Sequence, residues 1–277
     1  MALVFAAPVA AAQDGPDKGP SEHAEAECEQ TFTVLHAMPE KCLEDIDTDR
    51  PHKTDTPHTV PAGHVQVEAG IAEYEIERWS GPSENQLVLA NNIYTLGLAD
   101  NTRGIKHASV QVLHSMGSYR TRSRNFGFSD QLMVRTKLNL VDGPLELTLV
   151  PAIVLPLKGG TSTEAGGFVF IGGELPLHLD FELNVGATSE TDPETGIRHA
   201  VPVVTTAFTR KIAYGFSAFV ELYNETSSAD VKGVSSTFDT GFLFTFAKNW
   251  QLDGGAYIGT WGSAPRITPF LGISSRI

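Results

Sequence analysis

Residue types that carry chemistry are few in this chain, and their spacing is awkward. His52, His58 and His64 recur six apart, with Asp49 three residues before His52 and Asp55 midway between His52 and His58, and imidazole with carboxylate is a donor set that suits zinc. Pro51, Pro57 and Pro61 interrupt any regular geometry, so the expectation is solvated histidines in a tail, and no metal. A hydrolytic site needs nucleophile and base within about 3 Å of each other. His107, His114, His178 and His199 lie on or near candidate strands, with Ser109 and Ser115 two and one residues from a histidine. No Gly-x-Ser-x-Gly, His-Glu-x-x-His or phosphate loop accompanies them, so no catalytic residue and no cofactor is assigned. Arg120, Arg122 and Arg124 alternate in the longest connector. If that connector runs on as an extended strand, the three guanidiniums project to one side and suit bidentate phosphate or carboxylate, as on lipopolysaccharide or an anionic solute. An exposed, solvated loop is the alternative.

Cys28 and Cys42 are the two cysteines. In an oxidising compartment they could close a small loop worth about 3 kcal/mol; two unpaired thiols in a flexible tail is the other reading. Without a Cys-x-x-Cys, no redox or zinc motif follows.

The chain that must position these groups has 277 residues and a formal net charge of −13, from 33 acids and 20 Lys plus Arg. That balance repels phosphate backbones and excludes a broad nucleic-acid interface. Past the N-terminus no run approaches the roughly 18 apolar residues of a spanning helix, and Leu149 to Leu155 is short and carries Pro151. Any membrane must therefore be crossed by strands. Residues 1–12 resemble the second half of a secretory signal peptide, apolar and ending in Ala10-Ala11-Ala12 before Gln13-Asp14-Gly15, although no Lys or Arg precedes them. Residues 13–63 are polar and Pro-rich, a linker or periplasmic plug with one helical piece near Gln30 to Met38.

From His64 onward the pattern becomes short alternating runs bounded by Gly, Asn, Asp or Pro. Twelve runs can be read: His64 to Arg78, Gln86 to Leu98, Ile105 to Leu113, Gln131 to Val141, Pro144 to Leu155, Gly167 to Leu175, Leu177 to Ser189, His199 to Arg210, Ala213 to Asn224, Val234 to Thr245, Trp250 to Thr260 and Thr268 to Ile277. Their connectors alternate strictly between long and short, the habit of an outer-membrane barrel. The two-residue period gives each run two faces. Leu147, Leu149 and Ile153 oppose Glu146 and Thr148; Leu179, Phe181 and Leu183 oppose Asp180, Glu182 and Asn184; Thr136 and Leu138 oppose Arg135 and Lys137; Phe238 and Phe242 oppose Asp239. Alternation alone does not say which face is inside. Connector sorting and aromatic residues near run ends (Tyr74, Trp79, Tyr119, Phe126, Tyr214, Tyr223, Trp250, Trp261) favour a membrane barrel with a charged bore.

The expected fold is all-β: a closed antiparallel up-and-down transmembrane β-barrel of about 12 strands over 64–277, behind a mostly irregular tail. In the first run Glu73, Glu75 and Glu77 fall on the apolar parity, and a bulge near Ala72 would turn them inward. The sixth and eighth runs lack a clean polar face. Candidate lumen residues are Glu68, Glu146, Asp180, Glu182, Glu221, Asp239 and Asp253, opposed by Arg135 and Lys137. Carboxylate rings favour cations and pass neutral solutes, whereas an acid–base ladder across a narrow bore can be a salt-bridged plug.

Thr48-Asp49-Arg50-Pro51, Thr54, Thr59-Val60-Pro61, Gly63, Gln66, Glu68 and Gly70 resemble the opening of the MetA-pathway-of-phenol-degradation family of outer-membrane barrels. Gly97-Leu98-Ala99-Asp100, Ala218-Phe219-Val220-Glu221 and Asn249-Trp250-Gln251-Leu252-Asp253-Gly254-Gly255 are similar to it too, so the likeness spans Thr48 to Ile277. Two positions depart: His52 stands where the family carries an acid, and the chain ends in Ile277 where these barrels end in the aromatic residue read by the barrel-assembly machinery. The resemblance implies a bacterial outer-membrane location, with lipid and lipopolysaccharide around the wall, and a channel for passive uptake of small solutes, aromatic or hydrophobic compounds among them. A structural or adhesive barrel is the main alternative, and a barrel hydrolase a lesser one.

Overall fold

The computed structural model describes residues 28, 30–77, 85–102, 104–158, 162–191, 196–226 and 234–277. The chain divides into residues 1–30 and a unit from Thr31 to Ile277. The signal-peptide segment, most of 13–30 and Trp79 lie outside the described residues.

Twelve strands make the wall. They are β1 (Val65–Glu75), β2 (Gln86–Thr102), β3 (Ile105–Arg120), β4 (Gln131–Val141), β5 (Glu146–Pro156) and β6 (Glu164–Leu175). The ring continues with β7 (Leu179–Thr191), β8 (Arg198–Ala213), β9 (Phe216–Thr226), β10 (Val234–Ala247), β11 (Trp250–Trp261) and β12 (Ile267–Arg276). Each pairs antiparallel with its sequence neighbour, and β12 pairs back onto β1 with Ser274 opposite Glu68, so no edge is left open. The short turns and both ends of the wall, Val65 and Ile277, share one mouth, where Val65 and Ile277 exchange backbone hydrogen bonds of 2.9 and 2.8 Å. The long connectors share the other.

The face assignment follows the sequence alternation. Leu149, Ile153, Val220, Leu222, Phe238, Phe242 and Leu271 lie exposed on the outside, while Thr148, Glu68, Lys137, Glu221, Asp239 and Asp253 are buried within. A barrel turned this way presents its hydrocarbon to lipid and its charges to the bore. The two runs without a polar face find their reason here. On β6 and β8 the inner residues Phe170, Val201 and Ala207 are buried at 1, 1 and 0% exposure. No continuous polar face forms because these inward apolar side chains interrupt it, leaving Glu164 and Thr205 as the buried polar residues of the two strands.

The structure corrects four local expectations. Gln30 to Met38 forms no helix: Phe32–Thr33 makes a two-residue strand on Asp100 and Ala99, a turn follows, and a 3-10 turn occupies Glu40–Cys42. Phe32 is buried and stacks on His36, a tie to the barrel rim that outweighs local helical periodicity. β2 and β3 outrun the expected ends, and Asn125–Phe128 folds back onto β3 with Arg120 opposite Asn125. The longest connector is therefore a tight hairpin, and Arg120, Arg122 and Arg124 do not share an extended face: Arg120 ends β3, while Arg122 and Arg124 sit in the turn, Arg124 at φ 52°. Tyr223 belongs to the bore rather than an aromatic girdle, since Lys53 stacks on its ring. The bulge expected near Ala72 is present, at Ile71, where the partners Leu271 and Gly272 face Ala72 and Gly70. It turns Glu73 into the bore at 8% exposure.

Candidate functional site

The bore is occupied by the chain itself. Residues 31–46 run along the short-turn mouth, where Val34 N donates to Leu98 O (2.8 Å), Ile46 N to Lys248 O (2.7 Å) and Arg276 Nη2 to Glu44 O (2.5 Å). Residues 47–60 then enter the barrel and return, and Ala62 N closes the excursion on Asp100 Oδ2 at 2.9 Å. Proline and threonine suit a segment that forms no ladder of its own, because each exposed carbonyl must find a side chain of the wall. Lys137 Nζ donates to Thr56 O and His58 O, Thr148 Oγ1 to Pro57 O and Tyr257 Oη to Pro51 O. The Arg50–Pro51 peptide is cis.

On one side the wall is basic. Lys137 Nζ donates to Asp49 Oδ1 at 2.5 Å, and Arg135 grips Asp55 with two hydrogen bonds of 2.8 and 2.6 Å while its Nη2 lies 3.5 Å from Asp49. Gln111 Nε2 donates to Asp49 Oδ2 at 2.7 Å and its Oε1 accepts from Arg135 Nε at 2.7 Å, which fixes both partners. Burial alone would push the Asp49 carboxyl up, but Lys137 and Arg135 hold it below its ordinary value.

Across the bore the wall is acidic. Arg50 lies flat over Gly70 and Gly272, where a Cβ would come within 2.8 Å of its guanidinium nitrogens. Its Nη2 reaches Asp253 at 3.2 Å, its Nη1 reaches Glu73 at 3.5 Å, and its backbone N donates to Glu68 at 2.8 Å. The paired glycines are thus a seat for this arginine. Glu221 accepts from Thr54 Oγ1 at 2.5 Å and from Lys53 N at 3.0 Å. His52 Nε2 lies 3.3 Å from Glu182 and edge-on to Phe219. The expectation of solvated histidines fails for His52, which is 8% exposed, because the segment that carries it is inside the wall. His58 bonds Glu146 Oε1 at 2.7 Å and also Asp47, while His64 bonds Met38 O. The three histidines go to separate partners, and among the described residues no group of three or more metal-ligating side chains converges.

Eight of the nine candidate lumen residues therefore meet the inner segment or its immediate partners: Glu68, Arg135, Lys137, Glu146, Glu182, Glu221, Asp253 and Asp239, the last 3.8 Å from Lys53. Asp180 stands apart, exposed near the short-turn mouth. Thr48, Asp49, Arg50 and Pro51, the motif that carries the resemblance, lie with His52 in a continuous buried stretch of the segment. Asp55 was singled out only as a carboxylate among the spaced histidines, Lys53 was legible only as a neighbour of that motif, and Gln111 and Tyr257 carried no sequence signal. His107 pairs with Asp100 at 2.9 Å, His114 faces the Gln131 carbonyl, and Ser109 Oγ, fully buried, has no hydrogen-bond partner among the described residues. Neither Cys28 nor Cys42 is a free thiol.

Open space remains above and below the segment. A cavity of about 390 Å³ lies toward the short-turn mouth among Asp47, His58, Asp100, His107 and Glu146. One of about 370 Å³ lies toward the long connectors among Lys53, Leu113, Met133, Phe168, Tyr223 and Tyr257.

Among solved structures, the chain is similar to an outer membrane channel from Pseudomonas putida F1, with TM-score 0.57 and 11% identity over 77% of this chain and 95% of that one. The NanC porin (TM-score 0.47, 12% identity, 77% and 100% covered) and the KdgM porin (0.45, 11%, 76% and 98%) are looser likenesses that carry no argument. At such identities the first likeness speaks to the fold. No curated protein matches the chain. A family model matches residues 48–277, from the Thr48-Asp49-Arg50-Pro51 segment inside the bore to the last strand, and the chain belongs to that family, described as "Putative MetA-pathway of phenol degradation".

Proposed function

We propose that this barrel is a channel of the bacterial outer membrane for passive uptake of small solutes, with residues 47–60 as a built-in constriction. One observation carries the reading: a charged wall and a charged segment are matched side chain to side chain at mid-bore, with open cavities on both sides. A barrel of this size is only a little wider than one whose side chains fill it, so a single irregular strand pair suffices to throttle it. The acid excess of the lumen favours neutral and cationic solutes over anions. Small aromatic compounds are the solute class that the family description supports, and the apolar flank of the upper cavity, Leu113, Met133 and Phe168, is compatible with them. On this reading the short-turn mouth is periplasmic, the Arg120 hairpin meets lipopolysaccharide, and the barrel-assembly machinery inserts the wall. On this reading it is a transport protein, and no residue is assigned a catalytic role.

The test is swelling of liposomes carrying the refolded full-length chain. Small neutral sugars and organic cations should enter faster than into empty liposomes, and organic anions of equal size should lag. Permeation no faster than empty liposomes, with heat-modifiable barrel mobility intact, would overturn the channel and leave a structural or adhesive barrel.

A further inference from the structure

Lys53 differs from the other cations at mid-bore in being held largely by rings. Its ammonium lies 4.4 Å from the centroid of Tyr257 and 4.5 Å from that of Tyr223. It donates to Thr237 Oγ1 at 3.2 Å and stops 3.8 Å short of Asp239 Oδ2. All four partners belong to the wall, on three consecutive strands. Tyr223 faces Thr237 across β9 and β10, and Asp239 faces Tyr257 across β10 and β11. A sheet fixes such a constellation far better than a loop would, so the cage is a property of the barrel and not of the segment.

The chemistry of the cage is specific. Two aromatic faces, a hydroxyl and a carboxylate around one point are what an organic ammonium ion needs, since the ring quadrupoles attract the charge and the oxygens accept its protons. Asp239 is fully buried beside the Glu221 carboxyl, and among the described residues no N–H or hydroxyl donor reaches its Oδ1. Lys53 therefore leaves acceptor capacity unused. Its side chain is 30% exposed, and with both tyrosines it lines the upper cavity of about 370 Å³, which also holds the apolar Leu113, Met133 and Phe168. A ligand with an ammonium head and an apolar body has both a seat and an approach.

We propose that the inner wall of β9, β10 and β11 is a binding site for small organic ammonium ions, primary amines on an apolar or aromatic body, which Lys53 of the inner segment fills as an internal competitor. The inference rests on the channel reading for delivery of the amine, although binding itself needs only the folded barrel. It assigns to the proposed channel a cationic class of solute and to Lys53 the role of the ligand to be displaced.

Binding of phenethylammonium to the full-length chain in detergent micelles, followed by titration calorimetry, tests this directly. Lys53→Ala should bind it at least tenfold more tightly than the unaltered chain, and Lys53→Met should show the same gain while keeping the segment's bulk. The gain should vanish in Lys53→Ala/Asp239→Asn. Neither 2-phenylethanol nor phenylacetate should gain. Equal affinity in the Lys53 variants and the unaltered chain, or an equal gain for the alcohol, would overturn the proposal. Liposome swelling without amine binding would remove the cage and leave the channel; amine binding without swelling would keep the cage and remove the channel.

Discussion

The two sides of the bore solve the same electrostatic problem differently. On β4, Arg135 and Lys137 face Asp49 and Asp55, two cations against two carboxylates, with Gln111 bracing both. Six strands away in the ring of twelve stands β10 with Asp239, flanked by Glu221 on β9 and Asp253 on β11. There, with Glu68 and Glu73 of β1 close by, the inner segment supplies Arg50 and Lys53. Among the described residues no N–H or hydroxyl donor reaches Asp239 Oδ1 or Asp253 Oδ2. The β4 side is charge-balanced and anchors the segment, whereas the acidic side is under-neutralised and retains appetite for a cation. A buried pair contributes little when intact but costs heavily when one partner is lost, so the two sides should respond to substitution with different magnitudes and even different signs.

The largest effect should come from Asp49→Ala, which strands Lys137 and weakens the hold on Arg135. Removing one partner of such a buried pair costs about 3–5 kcal/mol, enough to unseat residues 47–60. Limited proteolysis should then cut within the segment while the barrel keeps its heat-modifiable mobility; a segment as resistant as in the unaltered chain would break the comparison. Gly272→Val comes next and changes no charge. The new Cβ would meet Asp253 Oδ2 at 2.6 Å and Arg50 Nε at 2.8 Å, an overpacking cost of about 1–3 kcal/mol. Proteolysis should again detect release, to a smaller extent. Asp239→Asn should act in the opposite direction, leaving the thermal midpoint unchanged or raised, because it removes a carboxylate directly opposite Glu221. A fall in midpoint as large as that for Asp49→Ala would show that the two sides are equivalent after all.

The smallest effect concerns pH. Burial opposes the charge of His58, but Asp47 and Glu146 raise its pKa from 6.5 to about 11. A raised folded-state value means that the stabilisation is fully present below pH 6.5 and is lost as pH rises through about 11. The ring is half exposed, so solvent screens the gain. Nitrogen chemical shifts of His58 should therefore report an imidazolium at pH 8, and a neutral ring at that pH would remove this contact from the account.

Much of this was legible in the sequence, and the reasons for the rest are physical. Period-two alternation in runs such as Leu145 to Leu155 and Leu177 to Val185 gave strand identity, the number of runs gave ring size, and connector sorting with the aromatic residues near run ends gave the facing, because lipid and lumen demand opposite chemistry on adjacent residues. The same logic located the bulge that redirects Glu73. It failed locally at Gln30 to Met38, where the buried Phe32 and a backbone bond to Leu98 decide the conformation from a distance. Glu68, Lys137 and Asp253 could be assigned to the bore, but not to their partners, since nothing in a local pattern joins Arg50 to Asp253. The seat at Gly70 and Gly272 is likewise a product of closure between the first and last strands. His52 looked solvated because proline-rich polar sequence reads as tail wherever the chain happens to put it.

The proposed channel depends on the inner segment controlling the bore. Single-channel conductance and reversal potential under a KCl gradient, for the unaltered chain and for Asp49→Ala/Arg50→Ala, measure that control. Release of the segment should give the variant a larger conductance and a stronger cation preference, as the acidic wall becomes accessible. Identical conductance and selectivity in the two proteins would contradict the claim that residues 47–60 set the passage.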